Sequence, residues 1–296
     1  MFLIEHSGSS PEFRIEAIKV SLCLGQFVNS LVESKILTSI QNPLIKQIRK
    51  LHRSKERRKQ SLLLLEGTNL VTVACQVNYG LNILLCTPRW QENNQQLYVD
   101  FIKKGLSIRF VSEEILKAIA TTVNPDGVVA IAPRQIPLIP NIQTTQLSLG
   151  VERLQDPGNL GTIIRTAVAG GVDSLWLSAD SVDVDNPKVL RASVGEWFKL
   201  PMATGQNLAE VVKQHQQRGI QIIATTSQAT KNYWEIDFCR PSLILLGNEG
   251  AGLSSELIAL ADEKVIIPLS SDVESLNVAI ATALLVYEAK RQLMNK

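Results

Sequence analysis

The sequence predicts an α/β protein of two units, the second built on a parallel sheet. Two observations carry this reading. Across the second half, short apolar runs at 147–151, 174–177, 221–225, 243–247 and 264–268 alternate with helix-like stretches at 159–170, 188–198, 208–217, 254–260 and 275–293. Buried strands separated by helices imply a parallel sheet covered on both faces. Upstream, a shorter alternation places strands at 61–67, 81–86, 107–111 and 127–132, which reads as a smaller α/β domain. Between the two, Pro133, Pro137 and Pro140 disfavour regular structure and mark a linker. The expected boundaries are an extension at 1–34 without clear pattern, a small domain at 35–133, a linker at 134–145 and a larger domain at 146–296.

At 296 residues the chain is long enough for two domains that each bury a core. Its 45% hydrophobic and 20% charged residues are ordinary for a soluble protein. The net charge of +2 is small, so any attraction to nucleic acid must come from a local patch. The four cysteines, Cys23, Cys75, Cys86 and Cys239, form no CxxC pair. That argues against a zinc ribbon or a disulfide framework and fits a reducing cytoplasm. No apolar run is long enough to span a membrane, and the first residues lack the basic start and long apolar core of a secretory signal. A cytoplasmic location without membrane attachment is expected.

The local patch is present. Lys46, Arg49, Lys50, Arg53, Lys55, Arg57, Arg58 and Lys59 stand against one acid, Glu56. Leu44, Ile45, Ile48 and Leu51 recur among them at helical spacing, so the stretch is expected to be one amphipathic helix with a basic face. A solvated helix surface is the plain reading. A charge run of nearly one sign repels itself unless a polyanion is present, which favours nucleic acid, with Lys46, Arg49, Lys50, Arg53, Arg57 and Arg58 as the contacts.

The second half holds three turns of similar make, each with a strand end, a Gly- or Ser-rich turn and a helix start. They are Asp156-Pro157-Gly158-Asn159-Leu160-Gly161, Gly247-Asn248-Glu249-Gly250-Ala251-Gly252 and the run from Pro268 through Ser271 and Ser275 to Asn277. Ligands of parallel sheets bind at such carboxyl ends. Neither GxGxxG nor GxxxxGK[ST] occurs, so dinucleotide and P-loop readings lose their main support, and a nicotinamide or flavin oxidoreductase is weak. Arg165 is the one ionisable side chain in the apolar helix that follows the first turn. A helix that apolar is expected to be buried, and a buried arginine needs a partner: a phosphate, or an acid such as Glu249. The plain readings of Asn159 and Ser275 are helix caps.

Taken together, the three motifs closely resemble those of the SpoU (TrmH-type) RNA ribose methyltransferases of the SPOUT class, over about residues 35–293. Upstream, Leu65-Glu66-Gly67 and Asn124-Pro125-Asp126-Gly127 resemble the small RNA-binding domain of these enzymes, related to a ribosomal-protein fold. The resemblance implies a deep trefoil knot at the end of the parallel sheet, S-adenosylmethionine as methyl donor, no metal, and a homodimer. It implies that backbone groups of Gly247, Ile267 and Leu276 hold the donor, and that Asn159, Arg165, Glu249, Ser275 and Asn277 form the catalytic set. Where the family usually has glycine this chain has Ser271; were φ positive there, serine would cost on the order of 1 kcal/mol or more.

The implied reaction moves a methyl group to a ribose 2′-hydroxyl, with ribosomal RNA the leading substrate and transfer RNA behind it. Proposals for the family have the arginine deprotonate the hydroxyl with help from an RNA phosphate. A guanidinium stays protonated, so the residue itself favours phosphate binding and stabilisation of the developing alkoxide. The alternative from another class is a non-catalytic RNA-binding or ribosome-associated factor.

Overall fold

The protein is described by a computed structural model over residues 32–135 and 140–295. Of the expected extension, residues 1–31 lie outside the described residues, and β1 (Val32–Leu37) occupies its end. The chain continues through α1 (Pro43–Lys50), α2 (Ser54–Gln60), β2 (Leu62–Glu66), α3 (Thr68–Gln76) and β3 (Ile83–Cys86). Then come α4 (Pro88–Asn93), α5 (Gln95–Lys103), β4 (Ile108–Val111), α6 (Glu113–Ile119) and β5 (Val128–Pro133). These five strands order as β1-β4-β3-β5-β2, with β5 antiparallel to both its neighbours and the other pairs parallel.

The basic run is two helices rather than one. Asn42 caps α1 by accepting the Leu44 N–H, Pro43 opens it, and the helix stops at buried Leu51. Arg53 is extended and Ser54 begins α2 at a new angle, which ends with Ser61 left-handed at φ 51°. The apolar spacing that suggested continuity belongs to α1 alone, where Ile45 and Ile48 are buried.

The second half comprises β6 (Leu147–Val151), α7 (Pro157–Gly170), β7 (Ser174–Ser178), α8 (Pro187–Ala192), β8 (Met202–Gln206) and α9 (Leu208–Gln216). It continues with β9 (Gln221–Thr225), β10 (Lys231–Asn232), β11 (Ser242–Leu246), α10 (Ser255–Leu260), β12 (Glu263–Ile266) and α11 (Val278–Met294). Its seven strands order as β10-β12-β9-β11-β6-β7-β8 and every neighbouring pair is parallel. The central strands β6 and β11 are buried at every residue, as a sheet covered on both faces requires. From β6 the chain winds one way through β7 and β8, then crosses to wind on the other side. The switch point therefore lies between β6 and β11, where ligands of such sheets bind, and the first two sequence motifs leave from those two strands.

Two expected helices are shorter than the sequence suggested. The stretch 188–198 breaks after Ala192, turns through left-handed Val194 and Gly195, and resumes as the 3-10 turn Glu196–Phe198. A side chain at Gly195 would stand 2.7 Å from Val73 of α3, so the chain bends where the two halves touch. The last helix begins at Val278 rather than at 275. Strand β8 escaped the sequence because it is a half-exposed edge with no continuous apolar run.

The halves do not hang from their connection, whose one described regular piece is the 3-10 turn Ile142–Thr144. They share a core in which Leu63, Leu65 and Val71 join Leu149, Ile163 and Leu190. Tyr79 packs against Phe198 and Trp197, with ring centroids 4.9 and 6.1 Å away. Arg57, only 1% exposed, crosses the seam to Asp185 at 3.1 Å and donates to the carbonyls of Leu51 and His52. Arg134 pairs with the same carboxylate, and Arg58 pairs with Asp183. Burial pushes the Asp183 carboxyl up, but hydrogen bonds from Ser54 and Arg58 and the charges of Arg58 and Arg57 outweigh it and hold the group below its ordinary value. Cys75 and Cys86 are free thiols, and burial raises Cys86 to about 12, which makes it a packing residue.

Candidate active site

Asp156 caps α7 by accepting the backbone N–H of Asn159 at 2.8 Å, which frees the Asn159 side chain to point elsewhere. That hydrogen bond is the main reason the Asp156 carboxyl lies below its ordinary value, and Lys188 of α8 adds to it from 3.3 Å. The Asn159 Nδ2 donates to Glu249 Oε1 at 3.0 Å, and its Oδ1 accepts from Asn277 Nδ2 at 2.9 Å. Asn277 in turn caps α11, its Oδ1 accepting from the N–H groups of Ala279 and Ile280.

Chemistry sets the direction of this chain. A carboxylate only accepts, so Asn159 must turn its amide nitrogen to Glu249 and its oxygen to Asn277; Asn277 then has an oxygen left for the helix N-terminus. Glu249, Asn159 and Asn277 thus tie together the loops after β11, β6 and β12. Both plain readings of the caps fail: Asp156 rather than Asn159 caps α7, and Asn277 rather than Ser275 caps α11.

Arg165 does not join them. It is exposed on α7, makes no hydrogen bond or ion pair among the described residues, and stands six residues from Asn159, about 120° around the helix. The expected burial of Arg165, and an ion pair with Glu249, are therefore corrected. The apolar side chains of α7 face the core, and the arginine occupies the other side. Ser275 lies in an exposed loop without a hydrogen-bond partner among the described residues.

The loops after β11 and β12 have their own logic. A Cβ on Gly247 would sit 2.1 Å from the Gly252 carbonyl carbon and 2.2 Å from the Leu253 nitrogen, so no side chain fits. The neighbour that demands glycine is the protein's own loop, closed by reciprocal Asn248–Gly252 backbone bonds of 3.1 and 3.0 Å. The Asn248 side chain, assigned no role from sequence, holds this turn: its Oδ1 accepts from Gly250 and Ala251, and its Nδ2 donates to the Arg153 carbonyl at 2.8 Å. The one signal for it was an asparagine opening a glycine turn. In 268–276 the hydrogen bond among described residues is Val273 N–H to Ser270, so the backbone of Leu276 is open, and Leu276 and Ile267 are half-buried. Apolar side chains beside free backbone groups fit an adenosyl moiety. Ser271 is not among the positive-φ residues, so the departure from the usual glycine carries no left-handed strain.

The basic positions divide. Lys46, Arg49, Lys50 and Arg53 are exposed and make no ion pair among the described residues. Arg57 is buried in the seam and Arg58 is held by Asp183, so the expectation of an RNA contact is corrected for Arg57, whose guanidinium is spent inside the protein. No group of three His, Cys, Asp or Glu able to hold a metal occurs among the described residues.

The polar residues thus gather at the switch point of a parallel sheet that is joined to a smaller sheet with a basic helix. The SpoU rRNA methylase family matches residues 146–287, and an MRM3-like substrate-binding domain matches residues 42–130. An uncharacterized tRNA/rRNA methyltransferase of Synechocystis is 47% identical over 256 residues, covering 86% of this chain and 93% of that one. The 23S rRNA (guanosine(2553)-2′-O)-methyltransferase of Bacillus subtilis is 32% identical over 86% of this chain and 99% of its own. The AdoMet-bound rRNA methyltransferase from Sinorhizobium meliloti superposes with a TM-score of 0.76 at 32% identity, over 89% of this chain and 99% of that one. The chain belongs to the SpoU rRNA methylase family. Membership implies S-adenosylmethionine as methyl donor and the knotted sheet expected above.

Proposed function

We propose that this protein transfers a methyl group from S-adenosylmethionine to a ribose 2′-hydroxyl of ribosomal RNA. The observation that carries it is the hydrogen-bonded chain Glu249–Asn159–Asn277, which draws three loops together at the switch point of the sheet. Residues 35–133 hold the RNA, residues 146–296 carry the chemistry, and ribosomal RNA is favoured over transfer RNA by full-length likeness to a 23S rRNA enzyme.

Gly247, Ile267 and Leu276 would hold the donor, which supplies a methyl group already activated on a sulfonium. The protein then has to align the hydroxyl, let its proton pass to water, and stabilise the charge that appears on its oxygen. Asn159, fixed at both ends of its amide, keeps one N–H for the ribose. Glu249 has its second carboxylate oxygen free among the described residues, available to accept from the sugar. Arg165, carrying an unpaired charge, binds the RNA phosphate and steadies the developing alkoxide, and Ser275 lines the methyl path. Because Arg165 stands apart from the trio of its own protomer, it serves best in a homodimer, facing the partner's site. The half-exposed row Ile280, Leu284 and Tyr287 on α11, beside Tyr233, supports such pairing. No described helix is long and apolar enough to cross a membrane, and the substrate favours a cytoplasmic place.

The test is to map 2′-O-methyl groups in ribosomal RNA from cells with and without the protein. One ribose should lose its methyl, and purified protein with S-adenosylmethionine should restore it. An unchanged map, with no transfer in vitro, overturns the proposal.

A further inference from the structure

Val123 is 89% exposed, the most exposed large apolar side chain among those described. It sits in a loop that nonetheless is held hard. Glu66, buried at the end of β2, accepts from the Thr121 N–H at 3.0 Å, the Thr121 hydroxyl at 2.6 Å and the Thr122 hydroxyl at 3.4 Å. On the far side of the valine, Asp126 accepts the Thr68 N–H at 2.7 Å. An apolar tip displayed on an immobilised loop loses little entropy on binding, which is what a contact surface needs.

Two connections say what the surface meets. One leads to the catalytic loops: Arg191 of α8 reaches across to Glu66 at 2.9 Å and to the Thr121 hydroxyl at 2.6 Å. Three residues earlier on that helix, about 4.5 Å along its axis, Lys188 pairs with Asp156, the cap of the helix that carries Asn159. Helix α8 lies directly on α7, for a Cβ at Gly161 would come within 2.4 Å of Ala192. The other connection leads to the unpaired cations. His52, just after α1, bonds the Ile119 carbonyl at 2.8 Å, at the end of the helix that opens into the loop. The loop that carries the valine is thus tied on one side to the end of α1, whose Lys46, Arg49 and Lys50 are exposed, and on the other to the helix that packs on α7.

We propose that Val123 is a specificity-determining contact for an unpaired nucleobase of the substrate RNA near the methylated ribose, with Glu66 and Arg191 as the positioning residues that hold its loop against the catalytic domain. Unstacked bases are where RNA offers its faces, and removing an apolar side chain from water against one is favourable. The inference rests on the methyltransferase reading and adds to it the element that selects the nucleotide.

The test compares wild type, Val123→Asp and Val123→Ile on ribosomal RNA isolated from cells lacking the protein, with labelled S-adenosylmethionine. Losing one buried apolar contact should raise the KM for RNA about tenfold in Val123→Asp, with turnover at saturating RNA changing much less. Val123→Ile should restore KM. The affinity for S-adenosylmethionine and the thermal midpoint should match wild type in both, since the side chain packs on nothing. Unchanged KM in Val123→Asp, or a fall confined to turnover, overturns the role of the loop. Absence of transfer by wild type overturns the methyltransferase reading instead.

Discussion

Two arginines divide the molecule into a region built to stay shut and one built to stay open. Around Arg57, charge is fully spent: the guanidinium is 1% exposed, meets Asp185, and uses its remaining donors on the carbonyls of Leu51 and His52. Around Arg165, nothing among the described residues answers the charge. A paired buried ion contributes to geometry, since desolvation consumes most of its attraction. An unpaired exposed one contributes little to stability and keeps its full field for a ligand. The seam therefore sets where the smaller half stands relative to the site, and the open surface is left for a ligand.

Substitutions at the two should separate cleanly. Arg165→Lys keeps the charge and loses the planar fork, so turnover should fall by about two to three orders of magnitude. Its denaturation midpoint should stay close to wild type, because surface changes away from packed features shift stability by about 0.5 kcal/mol or less. Near-normal turnover would remove Arg165 from the chemistry and leave the trio alone at the site. Arg57→Met should do the reverse. Removing one partner of a buried pair costs about 3–5 kcal/mol, and the low end applies because Arg134 still faces Asp185. Denaturant unfolding measures that loss. If Arg57→Met were as stable as wild type, the seam would be held by the Tyr79–Phe198 packing and the shared core, and the ions would be incidental.

The contrast also shows what a linear sequence can carry. The parallel sheet was legible because central strands such as β6 and β11 are apolar at nearly every position, and the three loops were legible because glycine and asparagine must stand where chains turn sharply. The two arginines stand elsewhere than their local patterns suggest, for one reason. Arg57 belongs by spacing to a cationic run, and its acid, Asp185, lies 128 positions away in the chain. Arg165 belongs by spacing to an apolar helix, and which side of that helix faces the core is decided by neighbours the local pattern does not name. The Glu249–Asn159 bond was equally out of reach, joining residues 90 positions apart. Local composition reports an element; the partner of a charge is a tertiary fact.

The smallest effect tests whether the open region extends to α1. Lys46, Arg49 and Lys50 are exposed and unpaired among the described residues, on the solvent side of a helix whose Ile45 and Ile48 are buried. If they lie along an RNA backbone, changing all three to Gln should weaken RNA binding at low salt and lower the slope of log affinity against log salt by about 2, since each phosphate contact contributes roughly 0.7–0.9. The variant should fold as wild type does, because removing like charges relieves repulsion and disturbs no packing. Arg57→Met should leave the same slope untouched, as its charge never reaches solvent. A triple variant with an unchanged slope would make α1 a solvated face and route the RNA elsewhere; equal loss of slope in Arg57→Met would mean that the seam opens when RNA binds, and that the two regions are one.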